Sequence, residues 1–447
     1  MVKRLLMIVL VAFSVLCALC AGGSSEKGEA TGVVTLDISY NMDFTTIPES
    51  FVAAAERLNE KYAAEGRDLR IEFNKDYQTI DWTEYQNAVT FAHKTGDAPD
   101  IFGLSDVASA QKAGILLDIT DVISENSSAY VPGAFDGAEI DGKIYSFAPD
   151  LPIRVIYYNK IALANIGWSE EEINNLPARI AEGSFTFEDF IDLCEEVVEK
   201  GASKYGLVHR PGNGSDFLDV LMALGGRYYN EDNELVFDQD GILRFFQFTY
   251  DNVHERHITP TNLNQMGWST INTMVGTGEA FAYYGPVYSA NYVYGAAGIT
   301  VEEFAKMEQF VLFPKSQYTD SPFAVAAPQW ISISADTKYP EICKDLIREM
   351  TVDSPDILAH HAATINVLSS VIAANSEPEL LANPLVGDIT YMADYAITTP
   401  AISGLDTYKS ELFRQIVALE LGQTTPEQAL NDMKAQVKLS VPSVVIE

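Results

Sequence analysis

The sequence predicts an α/β protein folded as two lobes around a cleft, and three observations carry that expectation. A chain of 447 residues exceeds what one hydrophobic core serves, so two or three core-forming units are expected. Strand and helix patterns alternate along most of it, which favours a mostly parallel sheet covered by helices. Third, residues 141–160 (DGKIYSFAPDLPIRVIYYNK) read as one extended path broken by a stiff connector. Residues 143–147 alternate like a half-buried strand, two prolines in 148–152 fix φ and remove ladder donors, and strand character returns at Ile153. A chain that leaves one lobe, crosses a cleft floor and enters another needs such a connector.

The elements follow in order. Residues 33–40 (VVTLDISY) read as a buried first strand. A helix opens at Thr46 with an early Pro48 and carries the apolar stripe Phe51, Ala54, Leu58, Tyr62. Residues 70–77 alternate as a strand; Asp81 is placed to cap a helix striped by Trp82, Tyr85, Val89 and Ala92. A turn at 96–100 leads into the short strand 101–104, and a further helix ends near Gly114. Beyond the connector, Thr186 to Asp189 form a capping box for a helix with Phe190, Leu193, Val197 and Val198 on one face. Strands are expected at 205–208, at 281–284 before Gly285-Pro286, and at 310–313. Helices are expected at 217–224, after Pro340 and from Thr425-Pro426. Cys194 and Cys343 fall on apolar helix faces, as buried free thiols would.

Charge narrows the function. Twenty-nine basic against 63 acidic residues give −34, so nucleic acid is excluded as a partner: phosphate contacts need clustered Lys and Arg. Such acidity suits solubility outside the cytoplasm. The start agrees, with Lys3-Arg4, an apolar core over residues 5–16 and small residues after it, an export signal over residues 1–20. Residues 21–32 read as a polar, flexible tether. Cys20 at the junction resembles that of a bacterial lipoprotein signal, in which it would be acylated, with the departure that Leu19 stands where a small residue usually precedes the Cys; cleavage after Cys20 or Ala21 by an ordinary signal peptidase is the alternative.

Several pieces, in order, carry a family resemblance: GDAPDI at 96–101 followed by AGILLDI at 113–119, DGKIY at 141–145 and YYNK at 157–160, FTFEDF at 185–190, GTGEAFAYYGP at 276–286, PQWISI at 328–333 and GQTTPEQAL at 422–430. Together they resemble the extracellular solute-binding proteins of ABC-type sugar importers, the family that includes maltose-binding protein. Phe187 departs from it, since the family usually has Trp there. The resemblance implies a type II periplasmic binding-protein fold with three chain crossings, near residues 147–153, 313–315 and 350–353. Lobe one would be 33–147 plus 316–348, and lobe two 148–315 plus 349–447. It further implies a monomeric receptor, without cofactor or metal, that captures a small sugar or oligosaccharide and passes it to the membrane permease subunits.

Sugar recognition asks for flat aromatic faces and for carboxylates, amides or Arg against hydroxyls. In α/β lobes such residues sit on loops at the carboxyl ends of strands. That rule selects Asp43 after the first strand, Tyr77 and Trp82 after the second, and Ser105 and Asp106 after the third. Trp82 serves equally as the start of its helix's stripe, and Asp106 equally as a cap. Asp150 and Arg154 flank the connector, where they meet a ligand or pair with each other. Asp216 stands just before a helix, where it caps that helix or reaches a ligand; Tyr284 and Tyr288 surround Gly285-Pro286, where the resemblance places aromatic contacts; Trp330 lies near a crossing. Trp268 falls at either the cleft or the surface, and Tyr408, in a loop after Pro400, is a further candidate.

Catalytic patterns are poor. His254 and His257 are spaced i, i+3, not the i, i+4 of a zincin, and there is no G-x-S-x-G or phosphate loop. The alternatives to a sugar receptor are the same fold with a polyamine, peptide or sugar acid as cargo, and a secreted carbohydrate-active enzyme.

Overall fold

The computed structural model describes residues 31–41, 45–80, 82–400 and 402–447. The export signal, Cys20, nearly all of the tether, Asp43 and the cap at Asp81 lie outside the described residues. In chain order, the first lobe runs β1 (Gly32–Asn41), α1 (Thr46–Ala64), β2 (Leu69–Gln78), α2 (Trp82–Thr95), β3 (Ile101–Leu104) and α3 (Val107–Lys112). β1 pairs in parallel with β2 along its length, from Gly32 opposite Leu69 to Asn41 opposite Gln78, and with β3 on its other edge. Leu36, Ile38 and Tyr40 of β1 are buried against Phe51, Ala54 and Leu58 of α1, the stripe that the 3.6-residue period indicated.

The connector holds a two-residue strand, β4 (Asp150–Leu151), and leads into β5 (Ile153–Asn159), buried at every position. Next come α4 (Phe187–Glu199), β6 (Tyr205–Val208), α5 (Asp216–Ala223), α6 (Trp268–Gly276), β7 (Ala280–Pro286), β8 (Glu308–Val311) and β9 (Ala324–Ala326). The chain then returns through β10 (Trp330–Ile333), α7 (Pro340–Arg348), α8 (Asp356–Ile365) and β11 (Leu368–Ser369), and ends with β12 (Ala396–Thr398), α9 (Leu405–Glu420) and α10 (Pro426–Ser440). The first sheet has the order β10-β3-β1-β2, and the second β12-β9-β5-β7-β6 with β8 also on β5. The mixed second sheet arises because β7, β8 and β9 all run antiparallel to β5.

Local signals hold to different degrees. At α4 the capping box is complete: Thr186 accepts from the Asp189 N–H and Asp189 accepts from the Thr186 N–H. At α10 only half forms, since Gln428 turns its amide to Asp432. At α1 the Thr46 hydroxyl serves no cap and instead meets His361 Nδ1 at 2.8 Å. Cys194 and Cys343 are buried and unpaired.

Two expected lobe boundaries move. Residues 316–326 were expected in lobe one, yet Val325 pairs with Arg154 and Ala326 with Ile153 in the second sheet, so the second crossing lies at residues 327–329. Residues from 349 on were expected in lobe two, yet α8 packs on α1. Arg57 meets Asp356 at 3.1 Å, Lys61 meets Asp353 at 2.8 Å and also Glu349, and β11 pairs with β4. Tyr130 of lobe one still pairs with Val371, so the third crossing falls after it and before β12. Helical periodicity marks where a segment is apolar; it does not mark which sheet or helix the segment joins.

Candidate functional site

Between the lobes lies a cleft of about 910 Å³, lined from both sides and from the crossings. On the side of lobe one, β1 contributes Tyr40 beside its last residue, α2 begins with Trp82, and the loop after β3 supplies Ser105 and Asp106. The rings interlock edge to face: Tyr40 and Trp82 are 6.0 Å apart between centroids, and Trp82 and Tyr85 5.5 Å. Gly103 makes room for this arrangement, because a Cβ there would come within 2.7 Å of the Tyr40 ring. Asp106 lines the cleft and also caps α3, accepting from the Ser109 N–H at 2.9 Å and its hydroxyl at 2.6 Å.

Pro152 and residues 327–330 form the floor. Trp330 lies against Gly137, where a Cβ would meet its ring at 2.9 Å. Asp150 does not reach the cleft. It is fully buried, accepts from the Gln329 N–H at 3.0 Å and lies 3.2 Å from His361 Nε2. One carboxylate thus joins the first crossing, the second and α8. The expected alternative of an Asp150–Arg154 pair does not form; consecutive elements point the two side chains to different partners.

The wall in lobe two is ionic. Arg154 projects from β5 and binds Asp219 of α5 with two N–H groups, at 2.5 and 2.8 Å, with Asp216 at 3.8 Å. Asp216 in turn accepts from Arg210 Nη1 at 3.2 Å. Asp216 and Asp219 are i, i+3 on one helix, hence on one face. Burial works against the Arg154 charge, but Asp219 and Asp216 outweigh it and hold its pKa above the usual guanidinium value. Burial lifts the Asp219 carboxyl to about 6 against the pull of Arg154. Tyr288 completes this wall, its phenol pushed up to about 12 by burial and then by the Asp216 charge. Residues 398–400, 402–407 and Lys409, with Asp406 and Lys409 paired at 2.7 Å, close the far side.

Of the residues expected from sequence, Trp82, Asp106, Arg154, Asp216, Tyr288 and Trp330 line the cleft, as does Ser105. Tyr77 turns away, its hydroxyl donating to Glu49 at 3.0 Å. Tyr284 faces the other side of its sheet, buried among His209 and Phe217 with ring centroids at 6.0 and 6.3 Å. Tyr408 is fully buried, and Trp268 is exposed beside Arg210. Tyr40, Arg210, Asp219, Gln329, residues 398–400 and 402–407 and Lys409 went unforeseen. Only Asp219 carried a readable signal, as a second acid one turn after Asp216 on an apolar helix. Among the described residues no His, Cys, Asp and Glu group is placed to hold a metal ion, and no helix is long and apolar enough to cross a membrane.

Two α/β lobes joined by crossings and facing each other over a doubly lined cleft define a two-lobed binding protein. The family model for bacterial extracellular solute-binding proteins matches residues 45–354, more than half of the chain, and the chain belongs to that family. Among solved structures it is similar to the GacH receptor of Streptomyces glaucescens (TM-score 0.70, 17% identity, 93% of this chain and 100% of that one). It is also similar to the sugar-binding protein MalE of Xanthomonas citri (TM-score 0.73, 16% identity, 92% and 98%). A curated relative, the lactose-binding protein of Rhizobium radiobacter, is 25% identical over 222 residues, which are 48% of this chain and 49% of that protein. The match therefore spans about half of the relative's length.

Proposed function

We propose that this protein is an extracytoplasmic receptor for an uncharged sugar or oligosaccharide, which it delivers to an ABC-type importer. The observation that carries the reading is the cleft itself: flat rings on one side, and on the other polar groups whose charges cancel. The lining holds Asp106, Asp216 and Asp406 against Lys112, Arg154, Arg210 and Lys409, and Asp219 lies directly under Arg154. Four acids thus meet four bases in a protein of net charge −34. A polyamine receptor would carry an acidic excess in its cleft, and a sugar-acid receptor a basic one. Relatives with the same fold support the reading, being described as bound to acarbose and to maltose, and the curated relative is a lactose-binding protein.

Ligand contacts to both walls exist only when the lobes close, so binding shifts the population towards the closed form. The closed shape is what the permease subunits would recognise. Acylation of Cys20 would anchor the receptor through its tether, and the receptor would act as a monomer. A thermal-shift screen over neutral sugars, sugar acids and polyamines tests the cargo. Neutral sugars are expected to raise Tm with no product on subsequent chromatography; turnover of any sugar would establish the enzyme alternative, and stabilisation by a polyamine alone would overturn the sugar reading.

A further inference from the structure

Single exposed apolar residues are ordinary on protein surfaces, so the interest of Trp268 lies in what is built beside it. Of the chain's four tryptophans it is the exposed one, at 44%, and it opens α6 just outside the cleft. The Arg210 guanidinium carbon lies 5.3 Å from the centre of its ring. The same guanidinium donates to Asp216 in the cleft wall at 3.2 Å, and its Nε is covered and has no hydrogen-bond partner. Beneath it runs Gly214, where an added Cβ would overlap the guanidinium. Gly214 does not adopt a left-handed backbone, so the missing side chain serves the arginine and not a turn. Arg210 is thereby fixed by a ring, a carboxylate and a bare stretch of backbone, and it leads from the cleft wall to an exposed aromatic face.

We propose that Arg210 and Trp268 form an outer subsite for longer oligosaccharides. A sugar ring projecting past the rim would lay its CH face on Trp268, and its hydroxyls would accept from the guanidinium that Asp216 holds in place. The inference rests on the sugar reading above and adds to it a preference for chain length. Two aspects favour this over a docking face for a protein: the guanidinium belongs to the cleft lining, and its charge is already matched by Asp216.

The test is calorimetric titration of the full chain with two length series, glucose to maltopentaose and galactose to β-1,4-galactotetraose. In the unmodified protein, affinity is expected to rise as units are added. Trp268→Ala should weaken binding of the longest bound sugar about 3- to 10-fold more than that of the shortest, the range for one aromatic stacking contact. Gly214→Ala, which displaces Arg210 while keeping every contacting group, should act in the same direction. Phe91→Ala, at a ring 66% exposed outside the cleft lining, should leave binding unchanged. Equal losses for short and long chains with Trp268→Ala, or no loss at all, overturn the subsite and leave the sugar receptor standing. Failure of every sugar in both series to bind removes the sugar reading and the subsite together.

Discussion

The two walls of the cleft are polar in opposite ways. Lobe one presents rings in edge-to-face contact and a cap residue, and among the described residues its wall buries no ion pair. Lobe two buries a chain of charges, with Arg154, Asp216 and Asp219 all less than one-tenth exposed. Taking charges out of water is costly, and their mutual attraction offsets this only with good geometry. Lobe two meets that condition by fixing the Arg154 and Arg210 guanidinium groups against carboxylates before any ligand arrives. Such donors are preorganised and present no net field, whereas the aromatic wall offers area without direction.

The contrast can be broken most severely at Asp219. Asp219→Ala leaves Arg154 buried with only the 3.8 Å contact to Asp216, and should cost about 3–5 kcal/mol in a urea unfolding series. A loss below about 1 kcal/mol would falsify the view that this pair is integral to the wall.

A second prediction concerns a lobe-two carboxyl with no such partner. Glu308 is buried, receives only the Asn159 amide at 2.7 Å, and has one oxygen without a hydrogen bond. Burial pushes it up to about 8 from 4.5. An acid with a raised folded pKa keeps its proton on folding, so its stabilising effect is complete below about pH 4.5 and is lost as pH rises towards 8. Glu308→Gln should flatten the fall in Tm over that window and add roughly 1–3 kcal/mol at its upper end. Unchanged pH dependence would place the titration elsewhere.

Between the walls, Asp150→Ala removes the acceptor that joins Gln329 and His361, and should cost about 1–3 kcal/mol. Small-angle scattering should also show a broader range of lobe separations with the crossings untied; an unaltered profile would deny Asp150 any part in the hinge. The smallest effect is expected at Thr398, whose hydroxyl donates to Asp136 of lobe one at 2.6 Å. Thr398→Val should change stability by about 0.5–1.5 kcal/mol and ligand affinity by a similar amount. No change in either would mean that this contact between the lobes does not bias their closure.

Much of the fold was readable because it is local. Val34, Leu36 and Ile38 alternate inward, the stripe on α1 follows the helical period, and the prolines around Asp150 mark a crossing wherever the lobes settle. The site was readable where chemistry and position coincide, as at Trp82 and Arg154. It failed where a residue's direction depends on register: Tyr284 and Tyr288 stand four apart around one Gly-Pro, yet one faces the core and the other the cleft.

The sequence by itself determined the alternation of elements, the stiff connector and the acidic charge balance. Periodicity, φ restriction and net charge are properties of neighbours or of totals, so they need no tertiary contact. Only the tertiary structure decided that Asp150 is an internal tie while Arg154, four residues on, belongs to the cleft. It also decided that residues 316–326 join the second sheet and that Arg210 and Asp219 complete the wall. Apart from the Arg210–Asp216 contact, which spans six positions, each depends on groups tens or hundreds of positions apart meeting within about 3 Å, the range of a hydrogen bond. The composition of a segment does not encode that meeting; the packing of two sheets does.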